Sequence, residues 1–175
     1  MTSSFLQPTL EGRSIIVAPL LLSHFDELYK AASDPLIWAG HPRRFRYQKE
    51  EFCRWFEDAL ESKGALVVAD KISGRLIGSS RYYEYDDSKS EVSIGFTFLV
   101  REVWGGIVNR ELKTLMLEHA FLRVKTVWFH VDATNIRSQK AMKKIGAVES
   151  HRAKKKINGK VADYVFYTME RTHDK

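Results

Sequence analysis

Apolar and polar positions along this chain repeat with two periods, and the switches between them mark out the elements. RSIIVAPL reads as an opening strand, and Ser23 is placed to cap a helix over HFDELYKAAS that Asp34 and Pro35 close. PLIWAGHPRRFRYQ has no periodicity and carries Trp38, His41 and two prolines, which predicts a loop of the kind that borders binding sites. In EEFCRWFEDALES, Phe52, Trp55, Phe56, Ala59 and Leu60 recur at helical spacing. After Gly64 the period drops to two, so ALVVAD, LIGSSRYYEY and EVSIGFTFLV predict an antiparallel meander joined by ISGR and DDSKS. A glycine turn leads into VNRELKTLMLEHAFLRV, where Leu112, Leu115, Met116 and His119 form one apolar face and Leu117, Ala120, Phe121 and Val124 another. Such a helix is buried on two sides. TVWFHVDA is a further strand, SQKAMKKIG a short helix stopped by Gly146, and AVESHRAKKKI with GKVADYVFYTMER a last pair around an Asn158 and Gly159 turn. The order is βααβββαβαββ.

With 175 residues the chain suits one domain able to bury roughly two thirds of its unfolded surface. It contains no linker, repeat or low-complexity tract that marks a boundary. Apolar residues at 44% and charged residues at 29% fit an ordinary globular protein. The amino-terminal stretch lacks the pattern of an export signal and no window approaches a membrane span, so a cytoplasmic protein with no membrane partner is expected. Cys53 is the only cysteine, which excludes an internal disulfide, and its helical setting marks a structural thiol. The histidines show no metal spacing, so no metal is expected. Lys and Arg exceed Asp and Glu by 28 to 22, a net charge of +6 that attracts anions. The basic run HRAKKKINGK reads as a solvated hairpin tip rather than a nucleic-acid surface, because no RNA-binding signature accompanies it. An RNA-associated protein rests on that run alone.

The candidate chemistry lies between Ser90 and Ala147. There SIGFTFLV ends at the turn WGGIVNRELK, and the next strand ends at NIRSQKAMKKIGA. A helix that starts in a glycine turn beside a strand end offers free N–H groups and partial positive charge to a phosphate. A helix starting near Asn135 carries Ser138 on its first turn, beside the same cleft.

With the element order, these segments make residues 13–171 resemble the GCN5-related N-acetyltransferase (GNAT) family, on the branch similar to ribosomal-protein N-terminal acetyltransferases. The resemblance implies a single N-acetyltransferase domain over 13–171. It implies an α+β fold with a mixed, mostly antiparallel seven-stranded sheet flanked by about four helices, and acetyl-CoA as co-substrate. By that resemblance the backbone of Trp104, Gly105, Gly106, Ile107, Val108 and Asn109 holds the pyrophosphate, and Phe98, Leu99 and Val100 pair with the pantetheine arm where the neighbouring strand splays away. Asn135 contacts that arm and Ser138 protonates the departing thiolate. A strand N–H near Phe98 or Leu99 stabilises the oxyanion. The chain departs from the family's usual turn at Trp104, where Arg or Gln is common, at Ile107, where glycine is common, and at Asn109, where a small residue is common. Asn109 is expected to cap the helix and Gly106 to take any left-handed angle.

The resemblance further implies a primary-amine acceptor, either a small molecule or a protein N-terminus, attacked without a covalent enzyme intermediate. Glu91 is the candidate base, since period-two geometry puts it on one face with Ser93; Glu84 is the alternative. Trp38, His41 and Tyr83 are the candidate substrate-binding residues. His119 lies on an apolar helix face and reads as a core residue. A non-catalytic acyl-CoA-binding or regulatory domain is the alternative function, and the protein is expected to be a monomer or homodimer.

Overall fold

The computed structural model describes residues 4–157 and 159–172, so Asn158 of the expected final turn lies outside the described residues. The chain runs through β1 (Leu10–Glu11), β2 (Ile15–Pro19), α1 (Phe25–Ala32), α2 (Pro35–Trp38), α3 (Lys49–Glu61), β3 (Ala65–Asp70), β4 (Leu76–Asp86) and β5 (Glu91–Leu99). It continues through α4 (Val108–Phe121), β6 (Thr126–Asp132), α5 (Ile136–Lys144), β7 (Val148–Ile157) and β8 (Lys160–Glu170). The expected order holds with two small additions. A two-residue edge strand, β1, pairs with β2 and makes the sheet eight-stranded. Asp34 opens the one-turn helix α2 instead of merely closing α1: its Oδ1 accepts from Leu36 N at 2.9 Å, with Pro35 in the first turn. Ser23 does not cap α1, because Leu22–His24 form a 3₁₀ turn before it.

Strand order is β1-β2-β3-β4-β5-β6-β8-β7. Neighbours are antiparallel except β5 and β6, whose parallel pairing follows from the crossover through α4. The sheet separates two apolar clusters. On one face α4 inserts Leu112, Met116 and Ala120 against Val17, Val68, Ile94 and Val127. On the other, Leu28, Ile37, Trp38, Phe52 and Phe56 cover Ala65, Val67, Leu76 and Phe98. The alternating residues of β3 thus reach opposite clusters, and Ala65, Leu66, Val67 and Val68 are all buried. Tyr82 donates its hydroxyl to Met116 O at 2.6 Å, and the half-buried His119 has its Nε2 2.8 Å from Phe5 O.

The pairing of β5 with β6 ends early. Only Glu91, Val92 and Ser93 have partners, at Thr126, Val127 and Trp128, although β5 continues to Leu99 and β6 to Asp132. A bulge accompanies the divergence. Ser79 pairs with Phe98 and Arg81 with Gly95, so two steps on β4 match three on β5, and Phe96 in between takes φ 54°. An extra residue bends and twists its strand, and this one lies in the stretch that leaves β6.

Candidate functional site

The gap between the diverging strands is a cavity of about 1080 Å³, walled by Ile94 to Leu99 of β5, Phe129 to Asp132 of β6, and the amino-terminal ends of α4 and α5. That is at the upper end of the size of small-molecule sites.

At one end lies the glycine turn. Gly105 takes φ 74°, so the left-handed angle falls there and not at Gly106. Ile107 sits at the helix N-cap position with right-handed backbone, is 67% exposed, and stays out of the cavity lining. It therefore leaves the cavity space open. Val108 is the first residue of α4 and Asn109 the second, so Asn109 lines the cavity but does not cap the helix. Glu111 is the first residue whose N–H reaches a carbonyl of this helix, Ile107 O at 2.9 Å, and the preceding N–H groups form the electropositive helix end.

Trp104 Nε1 donates to Leu99 O at 2.9 Å, fastening the turn to the end of β5. Val100 N–H is taken by Ile77 O of β4 at 2.9 Å. Backbone groups alternate along a strand, so Leu99 turns its N–H and C=O the other way, and the N–H is left on the β6 side. Phe98 lines the cavity and packs its ring at 5.2 Å from Trp38 and 5.7 Å from Trp55, whereas Val100 is buried outside the lining. On α5, Asn135 is the N-cap, its Oδ1 accepting from Ser138 N at 3.2 Å, and Ser138 lines the cavity, its Oγ making no hydrogen bond to any described residue. Arg137 lies 3.9 Å over the Trp104 ring and donates to Ile37 O at 3.0 Å, which bridges α5 to the turn and to α2.

At the other end Tyr83, Phe96, His130, Lys155 and Tyr164 line the cavity together with His41, Arg43 and Arg46. Tyr83 meets Phe96 and His130 edge-on at 5.1 and 5.5 Å. His130 Nδ1 accepts from Lys155 Nζ at 2.8 Å, and its Nε2 lies 3.4 Å from Ser93 Oγ. Burial, helped by the Lys155 charge, pushes His130 down to about 4. His41 Nδ1 accepts from Arg43 N at 2.9 Å, and burial together with the charges of Arg46, Arg137 and Arg43 pushes this ring down to about 3. Both imidazoles are neutral near pH 7. Burial likewise raises the Tyr83 phenol.

Like Val100, Ile107 and Val108, the candidates Trp38, Glu91 and Glu84 stand apart from the lining. Trp38 is buried behind the cavity, donates Nε1 to Ala32 O at 2.8 Å, and supports His41 edge-on at 5.5 Å. Glu91 lies at the paired end of β5, where its Oε2 accepts from Trp128 Nε1 at 2.9 Å. Glu84 is exposed and engaged with Lys155 at 3.5 Å. Asp132 is the one carboxylate among the described lining residues, and its Oδ1 is used by Thr134 N and Oγ1 at 2.8 and 2.6 Å.

Sequence reasoning did not find Lys113, Arg43, Arg46, His130, Lys155 or Tyr164. Lys113 is 3% exposed and donates to Thr97 Oγ1 at 2.7 Å; burial lowers it to about 7. Its signal was the four-residue step from Asn109, which sets both on one helix face. Among the described residues no group of His, Cys, Asp and Glu could hold a metal, and no helix is long and apolar enough to cross a membrane.

A family model described as an acetyltransferase (GNAT) domain matches residues 14–148. Among solved structures, a GCN5-related N-acetyltransferase from Brucella melitensis is similar with a TM-score of 0.83 and 20% identity, covering 94% of this chain and 79% of its own. A Vibrio cholerae protein assigned as a ribosomal-protein-serine acetyltransferase gives 0.79 and 13%, covering 98% and 100%. A chimera of spermidine N-acetyltransferase from Vibrio cholerae gives 0.69 and 16%, covering 90% and 96%. At these identities the likeness is one of fold. Comparison with curated proteins gives no match.

Proposed function

Because the chain belongs to the GNAT acetyltransferase family, we propose that it is an N-acetyltransferase that takes acetyl-CoA as co-substrate and moves the acetyl group directly to a primary amine, on a small molecule or a protein N-terminus. The activity is assigned to one domain over residues 13–171. One observation carries the reading: the unpaired stretch of β5 opens beside the free N–H groups of α4, in a cavity with room for an extended ligand.

The residues fit the co-substrate. The turn from Trp104 to Asn109 offers N–H groups to a diphosphate, and Arg110, Lys140 and Lys144 line the same cavity. Leu99 N–H is free to meet an acyl oxygen, and Phe98 and Leu99 form the strand edge beside which an amide chain lies. Bound acetyl-CoA supplies an activated acyl group. Asn135 fixes the start of α5, and Ser138 Oγ is the donor assigned to the leaving sulfur.

The amine must arrive neutral. Glu91, the expected base, is held by Trp128 away from the lining, and His130 has its Nδ1 lone pair occupied by Lys155. Arg43, Arg46 and Lys155 instead surround the acceptor end with positive charge. Like charge disfavours an ammonium ion, so the site lowers the amine's own pKa and releases its proton to water. This favours an α-amino group, with an ordinary pKa of about 8, over a lysine side chain near 10.4.

The test is thiol release on mixing the protein with acetyl-CoA and a panel of primary amines, alongside melting at saturating acetyl-CoA. Amine-dependent thiol release with thermal stabilisation is expected. Neither thiol release nor stabilisation would overturn the reading, and stabilisation without thiol release would favour a non-catalytic acyl-CoA-binding domain.

A further inference from the structure

The cavity is lopsided in charge. Among the described residues its lining holds nine Lys or Arg side chains against a single carboxylate, Asp132. The diphosphate-binding reading uses the cations beside the glycine turn and α5. It leaves Arg43, Arg46 and Lys155 at the opposite end. Lys155 is partly spoken for, by Glu84 at 3.5 Å and by His130 at 2.8 Å. Arg43 and Arg46 form no ion pair with any described carboxylate.

Their setting is built rather than incidental. Arg46 is clamped over Trp38 at 5.2 Å and Trp55 at 6.0 Å, so its guanidinium is held in place. Both guanidinium charges act on the Tyr164 hydroxyl on the facing wall. His41 adds a donor: its Nδ1 accepts from Arg43 N, so the neutral ring carries its proton on Nε2. Behind Phe96 a third guanidinium, Arg81, lies 4.1 Å over the ring, 6% exposed, with buried Nε and Nη2 that have no hydrogen-bond partner. Sequestering guanidinium groups without an anion is costly, and a fixed guanidinium fork matches a carboxylate's two oxygens.

We propose that the acceptor amine also carries a carboxylate, seated between Arg43 and Arg46 with Tyr164 and His41 as further donors, while its amino group faces the bulge of β5. The amine part rests on the acetyl-transfer reading; the carboxylate seat does not. A polyamine would place positive charge among positive charges and is disfavoured. A free amino acid and a peptide with an acidic first residue both supply the required pair of groups.

The test is calorimetric binding to the CoA-loaded full-length protein, using L-phenylalanine against L-phenylalaninamide, L-aspartyl-glycinamide against L-asparaginyl-glycinamide, and spermidine. The carboxylate member of one pair is expected to bind at least tenfold tighter, the first pair identifying a free amino acid and the second a peptide. Arg43→Gln and Arg46→Met should each remove most of that preference. Arg43 lacks the aromatic clamp of Arg46, so the first variant answers even where the second unfolds. Equal binding within both pairs, or tighter binding of spermidine, would overturn the proposal. Thiol release measured in parallel separates the two ideas: a carboxylate preference without release keeps the seat and removes acetyl transfer, and release without preference does the reverse.

Discussion

Trp104 Nε1 reaches the carbonyl of Leu99 across 2.9 Å, so the glycine turn is tied to the last residue of the strand whose free edge walls the cavity. Trp104→Phe keeps a ring beneath Arg137 and deletes the donor. The loss of one hydrogen bond, about 0.5–1.5 kcal/mol, predicts a melting temperature lower by about 1–6 °C. Acetyl-CoA binding should weaken severalfold as the turn loosens. An unchanged melting curve with unchanged affinity would show that the bond orders nothing.

Gly105 combines φ 74° with open space where a Cβ would be. Gly105→Ala therefore costs about 1–2 kcal/mol of backbone strain without a clash. Gly105→Asp adds a negative charge to similar strain, beside the helix end assigned to the diphosphate. Calorimetry should find acetyl-CoA affinity at least tenfold lower in the Asp variant than in the Ala variant. Equal affinities in the two variants would contradict the assignment.

Lys113 gives a stability signature. Its folded pKa, about 7, lies below the free value. Between about pH 7 and 10 the unfolded chain therefore holds a proton that the folded chain has released. Stability from this group rises with pH across that window and is lowest below it. Lys113→Met should be stabilised relative to wild type at pH 6–7, with the gap closing toward pH 10. Denaturant unfolding at several pH values measures it, and a pH-independent gap would refute the buried-ammonium account.

The absence of a free carboxylate base among the described lining residues predicts the rate profile. The apparent second-order rate should rise tenfold per pH unit up to the pKa of the free amine, and kcat up to the lowered pKa of the bound amine, both moving with the amine used. Glu91→Gln should retain that profile and most of the rate. A Glu91→Gln variant slowed more than about a hundredfold, with its ascending limb lost, would restore Glu91 as the base.

How far the sequence reached depends on the range of the interactions involved. Local pattern was sufficient for the meander, for the start of α5 near Asn135 and for Gly146, which ends that helix at φ 84°. It misplaced the left-handed residue of the turn by one position, because Gly105 and Gly106 are equally permissive in isolation. It did not reveal that Trp128, from a strand distant in the chain, holds Glu91. The acceptor end was least legible. Arg43 and Arg46 sit in an aperiodic loop, Lys155 in a run that reads as a solvated hairpin, and His130 on an alternating strand, and only the fold gathers them around one cavity.

The most direct test of the diphosphate and thioester placement is an amide-resolved NMR titration of the protein with acetyl-CoA. The largest shifts are predicted at Gly105 to Arg110 and at Thr97 to Leu99, with Leu99 N–H moving downfield as it gains an acceptor. Shifts concentrated elsewhere, with these amides unmoved at saturation, would contradict the account.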